Sequence, residues 1–151
     1  MKPFDDTKVV EANAKLEETF KEERAKWQTW IQEVVDSMKK NDKLTDAMVL
    51  GLSYRQQIVE KVAYYRQVLY KKKSQYDTLK ADRYRKYIVE GDLKMTGTEK
   101  NDAVAADLTS VNYQMNLIQN QIDYLVDTNQ TLTNLQFAIK NKITIITEQL
   151  M

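Results

Sequence analysis

A heptad repeat in the last third of the chain limits the possible fold more than any other feature. Between residues 104 and 150, apolar side chains recur at alternating intervals of four and three residues. This stripe consists of Val104, Leu108, Val111, Met115, Ile118, Ile122, Leu125, Asn129, Leu132, Gln136, Ile139, Ile143, Ile146 and Leu150. The spacing predicts one long α-helix. Because a single helix cannot bury its own stripe, this helix requires partner helices, from the same chain or from other copies of it.

The residue types on the stripe favour an assembly larger than a dimer. Its d positions include β-branched valines and isoleucines, which fit a parallel two-stranded coil poorly, and its two polar members, Asn129 and Gln136, are expected to fix the register. Near the C-terminus, Leu135, Phe137 and Ile145 widen the apolar face. We expect contacts between copies at Ile118, Ile122, Leu125, Leu132, Leu135, Phe137, Ile139, Ile143 and Ile146. A bundle helix packed within one chain is the alternative.

Composition favours an all-α fold. Three Gly and one Pro among 151 residues, with 30% charged residues, supply too little turn chemistry for a β or alternating α/β protein. We predict two or three long helices in an elongated hairpin or bundle that oligomerises through its C-terminal helix. The chain is expected to be a single helical domain over residues 1–151, with helices at 6–39, 53–90 and 102–150. A capping box at Ser53–Gln56 would open the second helix, and Gly91 would end it.

The absence of two residue types argues against catalysis. The chain contains no Cys and no His, which removes disulfides, thiolate nucleophiles, the commonest general base and the commonest metal ligand. No glycine-rich phosphate-binding motif is present. We therefore expect a protein that is not an enzyme, with no catalytic residues, no metal ligands and no cofactor. No apolar run is long enough to span a membrane, and a cytoplasmic protein without membrane contact is expected.

Positive charge is concentrated in the middle of the sequence. Residues 51–100 hold twelve Lys or Arg against six Asp or Glu, whereas both flanking thirds are mildly acidic. Seven of the nine tyrosines lie between Tyr54 and Tyr87, interleaved with ten of these cations. Cations along one helix face can neutralise phosphates, and aromatic rings can stack on unpaired bases. The pattern therefore indicates a surface for single-stranded nucleic acid.

The candidate nucleic-acid-binding residues all lie on the second predicted helix. They are Arg66, Tyr70, Lys71, Lys72, Lys73, Tyr76, Lys80, Arg83, Tyr84 and Lys86. The alternative is a solvated helix face on which Lys and Arg stems lie over apolar surface while tyrosines fill the core. For the Lys71–Lys73 triplet, a phosphate-binding role and a plain solvated role are equally compatible with the sequence.

The middle and C-terminal parts of the chain resemble a known family, the UvsY recombination mediators of T4-like phages. The resemblance spans roughly residues 54–143. It rests on the order of Tyr76-Asp77 after the lysine triplet, Asp82-Arg83-Tyr84, Asp102 opening a helix, Val111-Asn-Tyr113, and Phe137-Ala-Ile-Lys140.

The resemblance implies a helical protein that forms ring-like homo-oligomers in the cytoplasm of an infected bacterial host. It implies binding to single-stranded DNA and the loading of a RecA-like recombinase onto strands covered by single-strand binding protein. The family's DNA-contacting stretch corresponds here to Lys71, Lys72, Lys73 and Tyr76. The alternative function is a non-catalytic coiled-coil scaffold that binds no nucleic acid.

Overall fold

The computed structural model describes residues 3–90 and 95–150, and this part of the chain is almost entirely helical. It contains α1 (Thr7–Met38), a short 3-10 turn (Asn41–Lys43), α2 (Leu44–Glu90), α3 (Gly97–Asp107) and α4 (Thr109–Leu150). The all-α prediction, with long packed helices, is confirmed. The predicted stop at Gly91 lies outside the described residues.

Two helices begin earlier than the sequence predicts. Helix α2 starts at Leu44 and runs without interruption through Gly51 and Ser53, so the predicted capping box does not open a helix. Helix α3 starts at Gly97 rather than at residue 102, because Thr96 and Glu99 form a reciprocal capping box. The Thr96 hydroxyl accepts from the Glu99 amide at 3.1 Å, and the Glu99 carboxylate accepts from the Thr96 amide at 3.2 Å.

The long C-terminal helix is interrupted at Leu108. This residue ends α3 with φ −101° and ψ 14°, and α4 begins at the next residue. The Thr109 hydroxyl donates to the carbonyls of Ala105 and Ala106, at 3.2 and 3.0 Å. Side-chain bonds of this kind enter the backbone ladder and bend helices. The prediction of one unbroken helix over residues 102–150 is therefore wrong at this point.

The chain forms two compact units that share its long helices. Unit 1 consists of Met1–Thr19 and Tyr65–Asn120, and unit 2 consists of Phe20–Tyr64 and Gln121–Met151. The core of unit 1 contains Val104, Leu108 and Val111 from the heptad stripe. Side chains from the N-terminal segment and from α2 pack on this cluster: Phe4, Val9, Tyr76, Leu79, Tyr84 and Tyr87.

The core of unit 2 is a three-helix packing of α1, α2 and α4. Its buried residues include Phe20, Trp27, Val34, Leu44, Tyr54, Ile58, Val62, Ile122, Leu125, Leu132 and Ile139. Five of the nine residues predicted to join copies of the chain are buried inside one chain: Ile118 in unit 1, and Ile122, Leu125, Leu132 and Ile139 in unit 2. Their partners are helices of the same chain, so the intramolecular alternative describes this part of the stripe. The other four, Leu135, Phe137, Ile143 and Ile146, keep exposed or half-buried surface.

Candidate nucleic-acid interface

One exposed row of side chains runs along the part of α2 that belongs to unit 1. It is formed by Arg66, Tyr70, Lys73 and Lys80, all exposed, and we call it the outer row. Their spacing of four, three and seven residues places them on one face of the helix. At a rise of 1.5 Å per residue the outer row is roughly 21 Å long. Tyr70 is 76% exposed, so most of its ring is open to solvent.

The lysine triplet does not form one patch. Successive residues on an α-helix point about 100° apart, so Lys71 and Lys73 lie on different faces. Both are exposed, whereas Lys72 between them is half-buried, on the side of the helix that faces the core. Of the three lysines, only Lys73 therefore belongs to the outer row, and Lys71 lies on a different face. Lys86 and Arg85 are also exposed and also lie away from the outer row.

Besides Lys72, three predicted contact residues lie on the core side of α2. Tyr76 and Tyr84 are half-buried against the apolar cluster of unit 1. Arg83 is only 5% exposed, so in this conformation its guanidinium does not lie at the surface, where the sequence predicts it. The reason is positional: Tyr65, Leu69, Lys72, Tyr76 and Leu79 form a stripe at intervals of four and three, and one more step of four reaches Arg83. Extending that stripe in the sequence predicts the burial of Arg83.

Arg83 is held in a small polar cluster with Asp107 and Tyr87. The Arg83 Nε and Nη2 atoms donate to Asp107 Oδ2 at 3.0 and 2.8 Å, and the Tyr87 hydroxyl donates to the same oxygen at 2.8 Å. The guanidinium also lies 5.7 Å from the ring centroid of Phe4 and 5.6 Å from that of Tyr87. These distances are typical of cation–π contacts. Asp107 was not among the predicted site residues, because no local pattern links it to a partner 24 residues away.

The protonation states in this cluster follow from its contacts. Burial alone would lower the pKa of Arg83, but hydrogen bonds to Asp107 and its negative charge outweigh this effect and raise the pKa. Burial, followed by the hydrogen bond to Asp107, raises the pKa of Tyr87. Around neutral pH the cluster therefore contains a charged guanidinium and a protonated phenol.

Unit 2 contains an aromatic cluster formed by Trp27, Trp30 and Tyr54. Trp30 stacks on Tyr54 with ring centroids 4.8 Å apart, and Trp27 meets Trp30 edge-on at 4.9 Å. Lys26 Nζ lies 4.2 Å from the Trp30 centroid. Trp27 and Tyr54 are buried, so this cluster anchors the packing and offers little ring surface to bases.

A polar layer crosses unit 2 between α2 and α4. Arg55 Nε donates to Asn129 Oδ1 at 3.3 Å, and Arg55 Nη1 donates to Gln136 Oε1 at 2.6 Å. Gln136 Nε2 donates to the Met48 carbonyl at 3.4 Å, and a Cβ at Gly51 would come within 3.4 Å of the same amide nitrogen. The two polar residues of the heptad stripe are thus satisfied within the chain, and Arg55 is not available as a surface cation.

The last turns of α4 carry the heptad stripe past the end of α1. Lys142 Nζ donates to the carbonyl of Met38, the last residue of α1, at 2.8 Å. Beyond this bond Ile143 and Ile146 are only half-buried, and Leu150 is 84% exposed. We call Ile143, Ile146 and Leu150 the terminal stripe. Phe137 is 62% exposed on another face of α4.

A shallow groove in unit 1 lies between α1 and the start of α4. Its volume is about 450 Å³, and its lining includes Val10, Asn13, Ser110 and Tyr113. Asn13 Nδ2 donates to the Ser110 carbonyl at 2.9 Å, and the Tyr113 hydroxyl donates to Glu17. Asn13 Oδ1 and Ser110 Oγ are buried without a hydrogen-bond partner. The groove contains no paired acid and base that would indicate a reaction.

The described residues meet the requirements of neither a metal site nor a membrane-spanning helix. Within residues 3–90 and 95–150, no three Asp or Glu side chains converge in a way that could hold a metal ion. No helix in this part of the chain is long and apolar enough to cross a membrane.

By fold and surface, the chain is an all-helical bundle protein with a basic, tyrosine-bearing face on its longest helix. Compared with known proteins, it matches no family model, no curated protein and no solved structure.

Proposed function

We propose that the protein binds single-stranded DNA through the outer row of α2 and acts, without catalysing a reaction, as a mediator that loads a recombinase. The observation that carries this proposal is the exposed row of Arg66, Tyr70, Lys73 and Lys80. Three cations can neutralise phosphates along one strand, and Tyr70 offers an open ring to an unpaired base. Asp77 is an exposed acid on the same side of the helix.

The terminal stripe supports an oligomer as part of this proposal. Ile143, Ile146 and Leu150 continue a heptad pattern after the last turn of α1 has ended, so their apolar surface has too few partners in one chain. Contacts with other copies would cover it. Several outer rows in one assembly would then act on the same strand and raise the apparent affinity without new contacts.

The partners beyond DNA come from the sequence resemblance. The order of its motifs resembles that of UvsY-type mediators, and a mediator of that kind would act together with a RecA-like recombinase and single-strand binding protein. The exposed outer row supports the choice of the strand-binding face, and the resemblance supports the choice of the biological role.

The test is fluorescence anisotropy of a labelled oligothymidine titrated at several salt concentrations, with duplex competitor. One variant carries Arg66→Gln, Lys73→Gln and Lys80→Gln. A matched variant carries Lys71→Gln, Arg85→Gln and Lys86→Gln, which removes the same charge from other faces of the same helix. Loss of three phosphate contacts should flatten the slope of log affinity against log salt by about 2 for the first variant. The matched variant should change the slope much less.

A second pair of variants isolates stacking from charge. Tyr70→Ala should weaken binding by about 1–3 kcal/mol, whereas Tyr70→Phe should keep most of the affinity. Equal effects of the two charge variants would contradict the assignment of the outer row. Absence of oligothymidine binding at low salt, where phosphate contacts are strongest, would favour the coiled-coil scaffold instead.

Sedimentation velocity tests the oligomer separately. Ile143→Asp with Ile146→Asp should reduce the sedimentation coefficient to that of the monomer. Asn141→Asp with Gln149→Asp adds the same charge at exposed positions of the same segment and should leave the assembly intact. A monomeric wild-type chain would refute the oligomer and leave the DNA-binding assignment standing.

A further inference from the structure

The aromatic part of α2 is covered by α3 and by the residues next to it. Val104 of α3, together with Leu108 and Val111, forms the cluster on which Tyr76, Tyr84 and Tyr87 pack. These rings lie on the same helix as the outer row, within seven residues of Lys80. Their aromatic rings could stack on bases and so extend a strand-binding surface. Part of this ring surface is covered by α3.

Helix α3 buries few of its side chains. It has 11 residues, and Val104 is its one buried residue. An isolated helix of that length is marginal in water, so α3 depends on what it packs against. At its C-terminal end Leu108 departs from helical geometry, and the Thr109 hydroxyl bonds to the carbonyls of Ala105 and Ala106. The chain can therefore bend where α3 meets α4.

An ion pair between Asp107 and Arg83 attaches α3 to α2. Asp107, the last residue of α3, places a single oxygen against two guanidinium N–H groups and the Tyr87 hydroxyl. A phosphodiester oxygen has the same charge and accepts the same three hydrogen bonds. Arg83 and Tyr87 thus form a preassembled anion site, and a carboxylate of the same chain occupies it.

We propose that Asp107 is a displaceable occupant of this anion site, and that a phosphate of bound single-stranded DNA takes its place while α3 moves off α2. This inference rests on the proposed strand-binding function and adds to it a regulated second part of the interface. Displacement adds Arg83 to the cations that meet the strand and uncovers Tyr84 and Tyr87 for stacking.

The exchange avoids the cost of an unpaired buried charge because one ion pair replaces another. A buried guanidinium left without a partner would cost several kcal/mol. If the phosphate arrives as the carboxylate leaves, Arg83 is never unpaired. Asp107 then enters water, where a carboxylate is well solvated. Val104 loses its apolar contacts, and stacking of bases on the uncovered tyrosines offsets this loss.

The first experiment measures oligothymidine affinity and its salt slope for Asp107→Asn, which keeps the shape of the side chain and removes its charge. We expect several-fold tighter binding and a slope steeper by about 0.7, the value for one added phosphate contact on a single strand. Asp82→Asn is the matched control, because Asp82 is exposed next to Arg83 in the sequence. The double variant Asp107→Asn with Arg83→Gln should lose the gain.

Hydrogen–deuterium exchange of the wild-type protein gives a readout that charge alone would not move. On addition of saturating oligothymidine, amides of residues 97–107 should exchange faster, while amides of α2 beneath the outer row should not.

The outcomes separate the two proposals. If the wild-type chain binds but Asp107→Asn gains no more than Asp82→Asn, or if residues 97–107 become protected, the displacement is overturned and the outer row stands. If neither the wild-type chain nor Asp107→Asn binds oligothymidine, the proposed function is overturned, and the displacement with it.

Discussion

Replacement of Arg55 by leucine tests whether the polar layer of unit 2 is held by a single side chain. Leucine keeps the aliphatic part of the arginine stem, so most of its packing is preserved. The guanidinium is removed, and with it the donors to Asn129 and Gln136, at 3.3 and 2.6 Å. Asn129 is half-buried, and water can replace its lost donor. Gln136 is only 7% exposed, so its Oε1 atom would be left buried without a partner.

The expected cost comes mainly from Gln136. A buried acceptor that loses its donor costs about 1–3 kcal/mol, and the longer bond to Asn129 adds little. We therefore expect Arg55→Leu to lower the free energy of unfolding by about 2 kcal/mol. For a chain of this size, each kcal/mol corresponds to roughly 2–4 °C in melting temperature. Urea unfolding followed by circular dichroism at 222 nm measures the change, and Arg66→Leu, at an exposed position of the same helix, is the control.

A second substitution checks the cause. In Arg55→Leu with Gln136→Leu both partners become apolar, and stability should return to the wild-type value or exceed it. If Arg55→Leu changes stability no more than Arg66→Leu, water satisfies Gln136 and the layer is not held as described. If the double variant is less stable than Arg55→Leu alone, Gln136 contributes through its bond to the Met48 carbonyl rather than through Arg55.

Three further outcomes follow from burial, ionisation and capping. Leu132→Ala, at a fully buried stripe position, should lower unfolding free energy by about 2–5 kcal/mol, whereas Phe137→Ala should cost far less in urea unfolding of the monomer. Burial, then the 2.9 Å hydrogen bond to Glu33, raises the pKa of Tyr54 from 10.0 to about 12. Stability should therefore fall as pH rises from 10 to 12, since only the unfolded tyrosine loses its proton there, and Tyr54→Phe should fall less. Thr96→Ala should remove about 1 kcal/mol of capping and speed amide exchange in α3 without affecting α4.

The heptad stripe made much of the fold predictable. Its side chains from Val104 to Ile139 are buried except Asn129, and the inner stripe of α2 from Tyr54 to Leu69 is buried as well. Spacing alone decides this, because apolar area at intervals of three and four must face a partner helix. Spacing does not tell whether the partner belongs to the same chain. The predicted oligomer contacts at Leu125 and Leu132 failed for that reason, since helices of this chain already cover them.

Helix boundaries were less predictable where local signals compete. Ser53 and Gln56 have the composition of a capping box, but Leu44, Ala47 and Gly51 are buried on the same helix, and tertiary packing continues α2 through both residues. The same kind of signal, Thr96 followed by Glu99, does open α3. The two residue pairs do not differ enough in capping propensity to predict which of them opens a helix. Tertiary packing decides, because it contributes more free energy than a cap.

Whether a cation on α2 is exposed or buried depends on its angular position on the helix and on acids that are distant in the sequence. A count of charges includes neither. Lys72 and Arg83 belong to the core side of the helix by spacing, and a carboxylate 24 residues away completes the burial of Arg83. Arg66, Lys73 and Lys80 are exposed because their positions on the helix lie outside the core-facing side. The number of cations on α2 therefore overstates how many a polyanion would meet at the surface. The same count does not show that Arg83 is buried beside Asp107, where only a rearrangement would expose it. Under the displacement proposed above, affinity for a strand would depend partly on how readily Asp107 leaves Arg83, and the junction between α3 and α4 would be a place where this affinity is regulated.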